Sequence, residues 1–420
     1  MTAKWVRAIG LPAIVAGLIS FTALRAGAEE LRIGFLAPVT GSLAQIATDT
    51  VNGFRMYLED HKGQFHGAAV KLMVEDTQAK PAVAVLKAEQ LIKQNQVNML
   101  VGGVLASTGY ALAPVSTREK TVYISSIPAS DNLTQRDADK YPYFVRTGWS
   151  SSQPSHPFGE WACAQGYKKV VTIAADYAFG YEVVGGFQKT FEACGGEIIQ
   201  KMWPPIDTAD FSPYISSIKS DADTVFILPV GAGVLQLPKQ LAEFGIIPQK
   251  HLIGGGTSFD EFVLPSMGDE VIGAFSPLQY SAALQTPENE AFVKEYRAKY
   301  GKVPSYFAES NYTTAMMIDA VMGETNGKWP GSEEFIKHLT ALKVDAPRGP
   351  VSFDDMRNPI QNVYIRKVEK TKMFGYPNDE LWNEVIKTYP HVSQFWTFNK
   401  TEFLKQPVYS RDFPPCKFCK

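Results

Sequence analysis

The chain has 420 residues, 41 Lys and Arg against 43 Asp and Glu, a formal net charge of −2 and 45% hydrophobic residues. It carries no basic stripe and no Lys/Arg block, so nucleic acid is excluded as an expected partner. Four cysteines are too few for a disulfide framework, and a buried core must stabilise the fold instead.

In chain order, the first segment is an address. Lys4 and Arg7 precede an apolar run from Ala8 to Leu24, and Ala26-Gly27-Ala28 has the small residues of a cleavage site before Glu29. This layout predicts a secretory signal peptide over residues 1–28. A retained membrane anchor fits less well, because about seventeen apolar residues interrupted by Gly10, Pro12 and Gly17 fall short of a comfortable span. Roughly 390 residues then remain, more than one hydrophobic core usually holds, so two domains are expected.

Strands and helices alternate from there. Leu31–Pro38 reads as a strand, Gln45–His61 as a helix, Val70–Glu75 as a strand, Pro81–Gln94 as an amphipathic helix and Met99–Gly103 as a strand. Val122–Ser125 and Tyr143–Arg146 follow as strands. Beyond a helix ending near Gly166, the rhythm restarts with strands at Val170–Ala174, Glu197–Ile199, Thr224–Leu228 and His251–Gly254, separated by helices. Such alternation predicts an α/β fold with doubly wound parallel sheets, here as two similar lobes either side of about Thr147.

Catalytic signatures are scarce. No G-x-G-x-x-G, P-loop lysine motif or G-x-S-x-G elbow occurs, and the six histidines show no metal-ligand spacing. No enzyme activity, cofactor or metal is expected. Cys163 and Cys194 close separate helical segments, at Phe158–Gln165 and Gly185–Ala193; a structural disulfide and two buried thiols are both consistent with that. Cys416 and Cys419 form a C-x-x-C at the chain end, read as a disulfide in an oxidising compartment because no helix start or second ligand pair accompanies it.

A run of segments gives the chain a family likeness. Leu31-Arg-Ile-Gly-Phe-Leu-Ala-Pro-Val-Thr-Gly-Ser42, Val74–Gln78, Val101–Ser107, Tyr123–Ser130, Asp176–Gly180, Phe211–Ile218 and Gly349–Asp354 resemble, in order and spacing, the type I periplasmic binding proteins. The likeness is to the branched-chain amino-acid-binding (Leu/Ile/Val-binding) branch and reaches about Val368. It implies a periplasmic solute-binding receptor of an ABC importer, monomeric, handing its ligand to a membrane permease. It also implies three hinge crossings, near Arg146–Ser150, Gly273–Tyr280 and Gly349–Phe353. Lobe 1 would then be 29–147 with 278–350, and lobe 2 would be 148–277 with 351–420. The extension from about residue 369, with Trp382, Phe395, Trp396 and Phe398, is expected to pack on the second lobe.

The resemblance further implies a ligand in the cleft between lobes. Its carboxylate would meet Leu105-Ala-Ser-Thr108, where helix N-terminal amides favour an anion and Ser107 or Thr108 would cap. Ser126, Ile127 and Ala129 form the second anchor, with Gln45 and Ile46 nearby. Several positions depart from the amino-acid binders: Ala106 replaces a serine, Ala129 a threonine, Phe179 and Ile46 tyrosines, Val230 an aromatic residue and Gly256 the acidic residue that holds an ammonium group. Ile46, Ile127, Phe179 and Val230 could sandwich a ring, while Ser107, Thr108, Ser126 and Thr257 take its polar ends. The expected ligand is a benzoate- or cinnamate-like acid. An amino acid or amide held by Asp260 or Glu261, a soluble sensory role and a secreted enzyme are the alternatives. Trp149 and Trp161 read as core or hinge packing, and Asp176 and Tyr177 as either the cleft mouth or a solvated loop.

Overall fold

The structure is a computed structural model that describes residues 1–2, 30–377 and 379–419. The predicted leader therefore lies outside the described residues. β1 (Leu31–Ala37), α1 (Ala44–Asp60), β2 (Gln64–Phe65), β3 (Ala68–Asp76), α2 (Pro81–Lys93) and β4 (Met99–Gly102) open the first lobe. Next come α3 (Ala106–Glu119), β5 (Val122–Ser125), α4 (Asn132–Gln135) and β6 (Phe144–Arg146). The sheet order is β2-β3-β1-β4-β5-β6, parallel except for the β2–β3 hairpin. β1 is almost wholly buried, as a strand covered by helices on both faces must be.

The second lobe starts with α5 (Ser155–Ala164), β7 (Lys169–Ala174), α6 (Ala178–Ala193), β8 (Glu197–Met202), α7 (Ser212–Ser216), β9 (Thr224–Leu228) and α8 (Gly233–Glu243). It continues through β10 (His251–Gly254) and β11 (Phe275–Leu278). The chain then returns to pack α9 (Pro287–Tyr300), α10 (Tyr306–Glu324) and α11 (Ser332–Ala341) on the first lobe. Thr286 and Ser305 cap α9 and α10, each side chain accepting from the amide three residues on. α10 lies so close to α1 that a Cβ on Gly53 would stand 1.9 Å from the Ala308 carbonyl oxygen. Only glycine fits there.

The closing segment departs from the parallel pattern expected. β14 (Pro359–Lys370) runs antiparallel against β11, β13 (Gly349–Phe353) antiparallel against β14 and β12 (Val344–Ala346) antiparallel against β13, while β15 (Leu381–Val392) pairs antiparallel with β14. The second sheet is thus mixed, in the order β12-β13-β14-β11-β10-β9-β7-β8. β12 and β13 hydrogen-bond within that sheet, yet Ala346 and Val351 are buried in the first lobe's core. This stretch belongs to both lobes.

The extension also differs from expectation, because it touches both lobes. Trp382 and Phe395 are buried. α12 (Lys400–Lys405) offers its C-terminal carbonyls to Arg136 of the first lobe, which bonds Leu404, Phe403 and Gln406. On the second lobe, His156 bonds Tyr409, Gln188 bonds the Pro415 carbonyl and Lys201 the Pro414 carbonyl. Cys163 on α5 and Cys194 at the end of α6 are joined by a disulfide, Cα to Cα 6.4 Å, and Cys416 is joined to Cys419.

Candidate functional site

An apolar cleft of about 520 Å³, counting its open mouth, separates the C-terminal ends of the two sheets' strands. That is where doubly wound folds place ligands. The first lobe contributes Leu43, Ile46, Val104, Leu105, Ala106, Ile127 and Ala129. The second contributes Phe179, Val230, Val234, Thr257 and Phe262, and the crossing adds Trp149. Among the described residues, none lining the cleft is charged.

Aromatic rings wall one side. Trp149 meets Phe179 edge to face at 5.6 Å and Tyr306 at 5.9 Å, while Phe262 meets Phe307 at 5.3 Å. The Trp149 indole N–H is buried without a hydrogen-bond partner. A buried donor left unpaired costs free energy that a ligand acceptor would recover. Arg146, fully buried on β6, fixes the opposite anchor by donating to the Pro128, Ser130 and Trp149 carbonyls. That clamp sets where Ile127 and Ala129 stand.

The expected helix start is present, but not its cap. Helix α3 begins at Ala106, Leu105 occupies the cap position and no side chain caps it. Thr108 and Gly109 donate to the Leu105 carbonyl, leaving the amides of Ala106 and Ser107 as the unclaimed donors of the first turn. Neither Ser107 nor Thr108 is the cap, because the helix starts two to three residues earlier than their spacing implied.

The cleft gathers Ile46, Leu105, Ala106, Ile127, Ala129, Phe179, Val230 and Thr257 of the predicted set. Gln45, Ser107, Thr108, Ser126 and Gly256 are not among its lining residues. Gln45 donates to Asp49, and Ser126 is turned away to Asn311 at 2.8 Å. Gly256 gives its carbonyl to Arg366, and a Cβ there would lie 2.4 Å from both Leu278 and the Pro277 carbonyl. No acidic side chain could stand at that position.

The two substitute carboxylates are already committed. Asp260 accepts from the Phe262 and Tyr306 amides, and Glu261 accepts from the Ala282 amide and faces the Arg366 guanidinium at 3.7 Å. Sequence reasoning missed Tyr306 and Phe307, which arrive from α10 more than forty residues after Thr257 and Phe262. It also assigned Trp149 to packing alone, since its hinge position and size fit that equally well. Tyr177 lines the cleft, whereas Asp176 bonds Tyr181 and Arg411.

Two α/β lobes, strand C-termini facing across an apolar cleft and three chain crossings define a two-lobed solute-binding receptor. The chain belongs to the periplasmic binding protein family, whose model matches residues 30–372. Its relatives include Leu/Ile/Val-binding protein homolog 6 of Brucella melitensis, 28% identical over 371 residues, covering 87% of this chain and 94% of that one. A solute-binding protein of an ABC transporter from Rhodopseudomonas palustris BisB5, in complex with 3,4-dihydroxybenzoic acid, is 30% identical with a TM-score of 0.81. That match covers 87% of this chain and 98% of the other. A solute-binding protein from Rhodopseudomonas palustris HaA2 with p-hydroxybenzoic acid is 28% identical, with TM-score 0.81 and coverage of 87% and 99%.

The family and these neighbours are periplasmic solute-binding proteins of transporters rather than enzymes. Among the described residues no helix is long and apolar enough to cross a membrane.

Proposed function

We propose that this protein binds a small aromatic carboxylate, benzoate- or cinnamate-like, and delivers it to the permease of an ABC importer. The observation that carries the reading is the absence of any charged side chain from the cleft lining. A zwitterionic amino acid would bury its ammonium group without a counter-charge, at a cost of several kcal/mol. An aromatic acid avoids that cost. Its ring fits between Ile46, Ile127, Phe179 and Val230, with Trp149 and Tyr306 edge-on. Its carboxylate fits the unclaimed amide of Ala106 at the cleft wall, where the dipole of a fourteen-residue helix favours negative charge.

The hydroxybenzoate-bound relatives support this ligand class, while the Brucella relatives carry names that point to aliphatic amino acids. A thermal-shift series separates the two. At a hundredfold excess over the dissociation constant, a binder adds about 2.7 kcal/mol of stability. Benzoate and 4-hydroxybenzoate raise the melting temperature in this reading, and leucine and glutamate leave it unchanged. A shift with leucine alone refutes it. The protein acts as a monomer in the periplasm after cleavage behind Ala28, which the intact mass of secreted protein tests.

A further inference from the structure

A second cavity lies at the junction of the lobes, apart from the ligand cleft. It measures about 280 Å³ counting its opening to solvent and is lined by Asp131, Asn132, Gln135 and Arg136 of the first lobe, Glu182 of the second and tail residues including Tyr409. Asp131 and Glu182 are fully buried there. Each has one satisfied oxygen: Asp131 Oδ1 accepts from the Ser152 amide at 3.1 Å, and Glu182 Oε1 accepts from Tyr110 at 2.9 Å. The other oxygen of each, Asp131 Oδ2 and Glu182 Oε2, has no partner. Two buried carboxylates with idle lone pairs are costly when both are ionised.

A metal ion does not fit that vacancy. The Arg146 and Arg136 guanidiniums flank the acids, and the described residues contain no group of three metal-ligating side chains. A proton does fit. It converts one carboxylate into a donor and leaves the other to balance the buried Arg146. We propose that Asp131 and Glu182 are a buried interlobe acid pair that holds one extra proton in the closed cleft, so that closure takes up a proton.

The surroundings set the sign. Facing the pair are Tyr110 from α3, Arg136 from α4, Arg146 from β6, Tyr177 at the head of α6 and Tyr409 from the tail. His156 on α5 bonds Tyr409 behind it. Burial drives the Glu182 carboxyl well above its usual range, with Asp131 adding to the shift, and burial pushes Asp131 up to about 6. Opening the lobes separates α3 from α6 and solvates both acids, returning them to the ordinary carboxylate range. The closed state therefore binds the extra proton, is favoured as pH falls from neutral and is lost as pH rises through the raised values.

Calorimetry in two buffers of different ionisation enthalpy, near pH 6.5, counts that proton. The probes are 4-hydroxybenzoate and leucine, neither of which titrates near that pH. Wild type takes up a fraction of a proton to about one per ligand bound, and Glu182→Gln, which keeps the shape and the Tyr110 bond, takes up markedly less. The count is read with whichever probe binds, so binding of leucine alone would refute the ligand class while still testing the acid pair. If neither probe binds, small-angle scattering of the unliganded protein between about pH 8 and about pH 5 decides, with compaction at low pH expected in wild type only. A wild-type proton count of zero, a count unchanged in Glu182→Gln, or no pH-dependent compaction overturns the proposal.

Discussion

The indole of Trp149 stands edge-on to the ring of Phe179, 5.6 Å between centroids, and joins the first hinge crossing to the first turn of α6. The pair forms one wall of the cleft and is also part of the large apolar cluster that runs into the second lobe's core. Binding surface and structural core are therefore continuous at this point. A change at either ring is felt in both.

Replacing Phe179 by leucine separates the two roles. The volume is nearly kept, so the stability cost stays below about 1.5 kcal/mol. The ring contact is lost, and affinity for 4-hydroxybenzoate falls by about twofold to tenfold. Titration calorimetry and a urea melt on the same preparation read both numbers. Unchanged affinity would remove Phe179 from the ligand wall.

Ala106→Asp places an anion at the open end of α3. The helix dipole favours it there, which limits the damage to folding. A ligand carboxylate would meet it as a like charge in a closed cleft, costing several kcal/mol. Aromatic acids should bind at least about a hundredfold more weakly, with the melting temperature nearly preserved. If benzoate binding survives, the carboxylate docks elsewhere.

The disulfide between Cys163 and Cys194 spans 31 residues. On the loop-entropy account, such a closure stabilises by about 3–4 kcal/mol. The double Cys→Ser variant should lose that much in chemical denaturation while binding the same ligands. A loss under about 1 kcal/mol would mean the bond adds little beyond the packing of α5 on α6.

Burial holds the His156 imidazole neutral, pushing its pKa down to about 3, with Lys189 a lesser cause. The unfolded chain takes up that proton near pH 6.5, so unfolding is favoured as pH drops from there. Stability from His156 is complete above about pH 6.5 and shrinks continuously toward about pH 3. In His156→Gln, the fall in denaturation midpoint over this window should be shallower than in wild type. Parallel pH profiles for the two proteins would rule out the assignment.

Sequence patterning carried the parallel strands well, because buried runs such as Leu31–Ala37 and Thr224–Leu228 are apolar and bounded by turns. The antiparallel closure from β12 to β15 was not legible, since Pro359–Lys370 mixes charged and apolar residues and its register depends on partners far away in the chain. In the cleft, the departures at Ala106, Ala129, Phe179 and Gly256 were implied by the family resemblance. What holds Gly256 in place was not legible, because its carbonyl is fixed by Arg366 from a strand more than a hundred residues later. Tyr306 and Phe307 were hidden because they come from α10, after the chain has returned to the first lobe.

The tail ties Arg136 of the first lobe to α12 and His156 of the second to Tyr409. Each lobe can collect its own sheet without it, but the seam between them stays unfinished until residues 400–419 dock. A variant lacking those residues would keep both sheets and lack the seal, exposing the Arg136 pocket to proteases rather than losing its strands.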